Sequence, residues 1–128
     1  FLCMYGDELP DKGGVSACLE HHASILCFTA KDPWNHGVVT LRQDGFIAAI
    51  EEKPREPKTD LISDGVMVLN ERIFTCPPVA GLRGEFYLTN MLSQFVKKEK
   101  VAAVIRTRAI GGISTPADIA RVEKLLSR

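Results

Sequence analysis

Ile50-Glu51-Glu52-Lys53-Pro54, followed by Arg55-Glu56-Pro57-Lys58-Thr59 and then by Ile62-Ser63-Asp64-Gly65-Val66-Met67-Val68-Leu69, is the stretch that decides how this chain folds. It opens as the end of one apolar run and closes into another, with a charged, proline-broken segment between them. Pro54 and Pro57 have no N–H to give to a sheet ladder, so the first strand must end near Lys53. Glu52 and Lys53 then stand side by side at the end of a rigid element. A carboxylate suits the hydroxyls of a sugar, and a lysine suits a phosphate as a point charge. An ordinary surface ion pair at a solvated strand end is the plainer reading of the same two residues.

Upstream, Val38 to Leu41, Arg42-Gln43-Asp44-Gly45 and Phe46 to Glu52 read as a β-hairpin, with Asp-Gly as its turn signal. Glu52 and Lys53 therefore close its second arm. Further upstream, Ser24 to Thr29 is a buried strand. Val15, Cys18, Leu19 and His22 follow helical spacing, with His21 and His22 in the last turn. Phe1 to Tyr5 is an apolar run stopped by Gly6-Asp7, which predicts a buried strand of the kind that parallel sheets use. Its carboxyl end delivers Asp7, where open α/β sheets place their ligands. A turn-capping aspartate is the equally common alternative.

Downstream, Gly65 to Leu69 is the next strand, and Glu71 to Thr75 a short helix stopped by Cys76-Pro77-Pro78. Leu88, Met91, Leu92, Phe95 and Val96 make a helical core stripe with lysines at its carboxyl end. Val101 to Ile105 is a last strand. Thr115-Pro116 starts a final helix, threonine as N-cap and proline at its first position. Ile119, Val122, Leu125 and Leu126 are its expected buried face. Strands alternate with helices, so the class is α/β with a mixed sheet and flanking helices, in a single domain over residues 1–128.

The chain has 128 residues, and 16 basic side chains balance 16 acidic ones. That balance argues against nucleic acid as a partner. No apolar run is long enough to span a membrane. The four cysteines form no CxxC and no metal-ligand spacing, which points to free thiols in a cytoplasmic protein. Opening inside a strand, without an initiator methionine, suggests a piece of something longer or a processed start.

Taken together, the pieces resemble the sugar-1-phosphate nucleotidylyltransferases, the family of glucose-1-phosphate thymidylyltransferase and mannose-1-phosphate guanylyltransferase. The resemblance rests on Gly6-Asp7 after a strand, Gly37-Val38-Val39 opening a hairpin, Glu52-Lys53-Pro54, the strand at Gly65, Gly84-Glu85 with Thr89-Asn90, and Ser114-Thr115-Pro116 opening the last helix. Each motif is short; their order and spacing carry the likeness. It covers nearly the whole chain but only the carboxyl-terminal part of the family's catalytic domain.

The resemblance implies roles. Asp7 would be a catalytic residue binding Mg2+. Gly37 would contact the sugar through its backbone, and Glu52 would hold sugar hydroxyls. Lys53 would take the sugar phosphate and act as the second catalytic group. Gly65 would let backbone approach the sugar, and Glu85 would hold another hydroxyl. The substrates would be a sugar 1-phosphate and a nucleoside triphosphate (NTP). The chain departs from the family in two ways. It contains no GxGxxG or GxxxxGK loop for a triphosphate, so it resembles the sugar-phosphate part without the nucleotide-binding part. Gly112 stands where the family usually has a second metal-binding aspartate, which would cost the site one of two carboxylates. Asp64 and Asn90 also change the expected charge pattern. Activity of these residues by themselves is not expected. The alternative is a truncated, non-catalytic module that binds a sugar phosphate or a protein partner. The Phe1–Tyr5 strand would have one bare edge, so a homodimer or a partner along that edge is expected.

Overall fold

The computed structural model describes residues 1–107 and 111–127. Six strands form one mixed sheet: β1 (Leu2–Met4), β2 (Ser24–Thr29), β3 (Gly37–Leu41), β4 (Ile47–Glu52), β5 (Leu61–Val68) and β6 (Ala102–Ile105). Their order is β4-β3-β5-β2-β6, with β1 also paired to β5. Only β2 and β6 run parallel. Helix α1 (Lys12–Leu19) lies on one face; α2 (Leu88–Lys98) packs on β4; α3 (Pro116–Leu126) ends the described chain. No helix of the described residues is long and apolar enough to cross a membrane.

Period-2 alternation along β2 divides the core. Ile25 and Cys27 point to a cluster with Val39, Ile47, Ile50, Met67, Leu92, Phe95 and Val96. Leu26 and Phe28 point to the other face, with Cys18, Val66, Val68 and Val104. The α2 stripe read from the sequence is thus core, and Phe95 is fully buried. Burial also keeps the thiols quiet: Cys18, Cys27 and Cys76 are buried and free, and desolvation pushes Cys27 up to about 12.

The chain departs from its sequence reading at several elements. The Phe1–Tyr5 strand is neither buried nor parallel: β1 runs antiparallel to β5, with Leu2, Met4 and Tyr5 exposed. Its apolar side chains looked like a covered strand because composition does not say which edge is paired. Strand β5 begins at Leu61, not Gly65, because Ile62 pairs with both β2 and β3. Helix α1 ends at Leu19, so the histidines lie beyond it, and Asp11 caps its start through the N–H groups of Gly13 and Gly14. In α3 only Val122 is fully buried, while Ile119 and Leu126 are 49% and 71% exposed. Its start is as expected, and the Asp118 carboxylate accepts hydrogen bonds from the N–H groups of Ser114 and Thr115.

Candidate functional site

Strand β5 organises the site. One of its edges is lined by β2 along its length. The other is shared: β3 pairs at Ile62, and β1 pairs from Val66 to Val68. Between those two partners the strand bulges. While β2 advances two residues, from Ile25 to Cys27, β5 runs four, from Met67 back to Ser63. Bulges of this kind re-aim side chains and often border sites. Here the extra residues are in the segment Asp64–Val66, at the fork where β1 and β3 part.

A cavity of about 640 Å³ opens at this fork. Gly37, Glu52 and Gly65 line it, as does Gly112 from the segment before α3. These residues are far apart in sequence and are grouped by resemblance alone; the fold brings them around one cavity. Tyr5, Glu8, His36, Ser63, Asp64 and Tyr87 join them, and none was read as a site residue from the sequence. The Asp-Gly pair at the bulge was the one available signal.

The glycines differ in what their bareness permits. A Cβ on Gly37 would lie 2.7 Å from Ser63 Oγ and 3.0 Å from Thr89 Cγ2, with Glu52 Oε2 at 3.5 Å. Gly37 therefore lets β3 press against Ser63, whose hydroxyl donates to the Gly37 carbonyl at 3.3 Å. Over Gly65 the space is filled: a Cβ there would meet the Glu8 and Tyr5 side chains at 2.8 Å each. Those two side chains share the cavity wall with the Gly65 backbone at that point.

Lys53 does not line the large cavity. It lines a smaller one of about 170 Å³ with Glu52, Gly81, Tyr87 and Asn90. Glu52 and Tyr87 face both spaces. Strand β4 ends at Glu52, as the prolines predict, and Lys53 turns out of it at φ 42°. That left-handed backbone is strained for a side chain with a Cβ, and more so before a proline. Its N–H donates to the His36 carbonyl at 2.9 Å, which anchors the turn. Glu85 lines neither cavity; it is exposed, and the Tyr87 hydroxyl donates to its carboxylate.

The cavity is rich in carboxyl groups. Burial raises the Glu8 carboxyl above its usual range, and the charges of Asp64 and Asp7 raise it further. Burial raises Asp64 as well, against the Gly65 N–H and His36. Burial also raises the Tyr5 phenol, with the Glu52 charge adding to it.

Asp7 occupies the turn after β1 and is exposed; its carbonyl accepts the Ile113 N–H at 2.7 Å. This bond and the Glu8–Gly112 bridge tie the turn to the segment before α3. A Cβ on Gly112 would stand 2.9 Å from the Asp7 carbonyl oxygen and 3.3 Å from the Glu8 carboxyl. Glu8 thus fills the space that a side chain at position 112 would take. Among the described residues no group of three or more metal-ligand side chains converges. The donors that remain, the Asp7 and Glu8 carboxylates, suit a magnesium ion, which is usually held by one or two carboxylates plus substrate phosphates.

The pattern of the nucleotidyl transferase family matches residues 15–114. Among curated proteins, the chain is 29% identical over 128 residues to the bifunctional protein GlmU of Methanocaldococcus jannaschii, covering 98% of this chain and 31% of that protein. It is 24% identical over 114 residues to glucose-1-phosphate thymidylyltransferase of Neisseria meningitidis, covering 88% and 40%. A crystal structure of a candidate glucose-1-phosphate thymidylyltransferase from Bacillus anthracis, in complex with sucrose, superposes with a TM-score of 0.70 at 24% identity. That superposition covers 97% of this chain and 53% of the other, and it supports the mixed α/β fold. The chain thus spans 31% to 53% of the length of these proteins.

Proposed function

Because the chain belongs to the nucleotidyl transferase family, we propose that its cavity receives a sugar 1-phosphate for nucleotidyl transfer. The observation that carries this reading is the pair of adjoining spaces divided at Glu52: a large one and a small one, with Lys53 on the small one only. The sugar occupies the large space, with its hydroxyls on Glu52, the Gly37 backbone and Glu85. Its phosphate turns toward Lys53. In the complete reaction a phosphate oxygen of the sugar attacks the α-phosphorus of an NTP. The bond from that phosphorus to the bridging oxygen breaks, and pyrophosphate leaves. Lys53 neutralises and orients the attacking phosphate. Asp7 and Glu8 would hold magnesium, which when bound neutralises charge on the phosphates.

The 128 residues hold no glycine-rich triphosphate loop. We therefore expect them by themselves to bind the sugar phosphate without turning it over. The exposed strand β1, paired only with β5 among the described residues, favours a partner, a second copy included, lying along its other edge. Sedimentation of the purified chain over a concentration series tests this; a monomer throughout removes the dimer.

The deciding experiment is a thermal-shift titration with a panel of sugar 1-phosphates and NTPs, with and without magnesium. A ligand that binds only the folded state raises the melting temperature by mass action. Sugar phosphates should raise it in wild type and not in Lys53→Ala. No shift from any sugar phosphate would sink the reading.

A further inference from the structure

Lys53 reaches its place by contacts that its own strand does not supply. Its ammonium nitrogen lies 4.9 Å from the centroid of the Tyr87 ring. Gly81 lies against the same ring: a Cβ there would come within 2.9 Å of Tyr87 Cδ2 and 3.1 Å of Cε2, so the glycine's bareness leaves room for that edge of the ring. The loop from Ala80 to Tyr87 is built to hold this arrangement. Ala80 and Phe86 form an antiparallel bridge, and the Gly81 N–H donates to the Glu85 carbonyl at 2.7 Å. Arg83 and Gly84 turn the chain at φ 64° and 75°. Asn90, one turn into α2, donates its amide to the Val79 carbonyl at 3.1 Å and pins the loop from below. At the ring's far end the hydroxyl donates to Glu85.

From this geometry we infer that Tyr87 is a positioning residue that docks Lys53 at the boundary of the two cavities and joins it to Glu85. This inference rests on the sugar-phosphate reading above. An exposed lysine on a flexible stem otherwise samples many rotamers, and binding a phosphate would have to order it. A ring face fixes the ammonium without neutralising it, because a quadrupole attracts a cation but leaves its charge free for an anion. The phenol does a second job: its hydrogen bond holds the Glu85 carboxylate. Hydroxyl recognition and phosphate recognition are thereby set by one side chain, although Lys53 stands just past the end of β4 and Glu85 on a separate loop.

The first arm of the test needs no ligand. With tyrosine rings labelled by 13C, the Tyr87 phenol is titrated by NMR. The hydrogen bond to Glu85 raises the phenol, and Lys53 lowers it. The phenol should therefore titrate at higher pH in Lys53→Ala and at lower pH in Glu85→Gln. An unchanged titration in Lys53→Ala would show that the ammonium is not on the ring, and the inference would fall.

The second arm measures affinity for α-D-glucose 1-phosphate and the other members of the panel by calorimetry. Tyr87→Leu should weaken binding roughly twofold to fivefold through the lost ring contact, the range expected of an exposed cation–π pair. Tyr87→Phe, which keeps the ring, should recover most of that loss. In the Lys53→Ala background the difference between leucine and phenylalanine at position 87 should vanish, and a persistent difference would mean that Tyr87 acts on something other than Lys53. If wild type binds no sugar phosphate while the phenol titration behaves as expected, the sugar-phosphate reading fails and the docking of Lys53 stands.

Discussion

The two walls of the cavity are built differently. The wall of Gly37, Ser63, Glu52 and Thr89 belongs to strands β3 and β5, the end of β4 and the start of α2. Its atoms sit in close contact, and moving any of them moves a strand. The opposite wall, of Tyr5, Glu8 and Gly112, hangs on the exposed strand β1, with Asp7 exposed in the turn beside it and outside the cavity lining. Among the described residues the isolated Glu8–Gly112 bridge, which the Ile113 N–H to Asp7 carbonyl bond helps to form, ties it to the segment before α3. The first wall is held by packing, the second by a few contacts across an edge. Under the proposed reading the sugar hydroxyls would fall to the first wall and the cation to the turn beside the second, while the phosphate would meet Lys53 in the smaller cavity.

The comparison is broken most directly at Gly37. Gly37→Ala forces a methyl to within 2.7 Å of Ser63 Oγ. We expect a loss of about 1–3 kcal/mol, as for overpacking in a dense site. Urea denaturation measures it, and an alanine accepted without cost would mean that this wall is as loose as the other. Next comes Lys53. Lys53→Ala should weaken sugar 1-phosphate binding by roughly tenfold to a hundredfold, the worth of a charged hydrogen bond. Lys53→Gly should lose the same affinity yet gain about 1 kcal/mol of stability by releasing the strain at φ 42°. Calorimetry and denaturation on the two variants separate these effects.

A smaller effect is expected on the second wall. Gly112→Asp should cost about 1 kcal/mol, because its Cβ meets the Asp7 carbonyl and the Glu8 carboxyl. Removing the glutamate, as in Glu8→Ala, should relieve part of that cost. A double-mutant cycle that came out additive would mean that the two positions do not compete for space.

The smallest effect concerns pH. Asp64 is raised in the folded state by burial, so the folded chain holds that proton more tightly than the unfolded chain. Stability should fall as pH rises from the ordinary carboxyl range through the folded value, and it should stay lower above that. Asp64→Asn should therefore be more stable than wild type at pH 7, with the gap closing at acid pH. A gap that persisted at acid pH would point to packing rather than charge.

Much of the first wall was legible because strong local rules wrote it. Asp44-Gly45 turned the hairpin, Pro54 and Pro57 stopped β4 at Glu52, and the α2 stripe is buried as its spacing implies. The second wall was not. Its key residue, Glu8, follows Asp7 in an ordinary polar turn, and nothing local tells that its carboxyl fills the space beside Gly112. Tyr87 was equally silent: its meeting with Lys53 spans 34 positions, from 53 to 87.

The sequence by itself determined the α/β class, the hairpin, the placing of Glu52 and Lys53 at a strand end, and the family. These follow from turn chemistry, proline sterics and periodicity, which act over a few residues. The tertiary structure alone decided that β1 is an antiparallel edge strand, that β5 bulges where β1 and β3 part, and that the apolar stripe of α3 is mostly exposed. It also decided that Glu52 faces two cavities while Lys53 faces one. These depend on which distant edge each strand pairs with, and pairing is chosen by the sum of contacts across the molecule rather than by any segment's own preference.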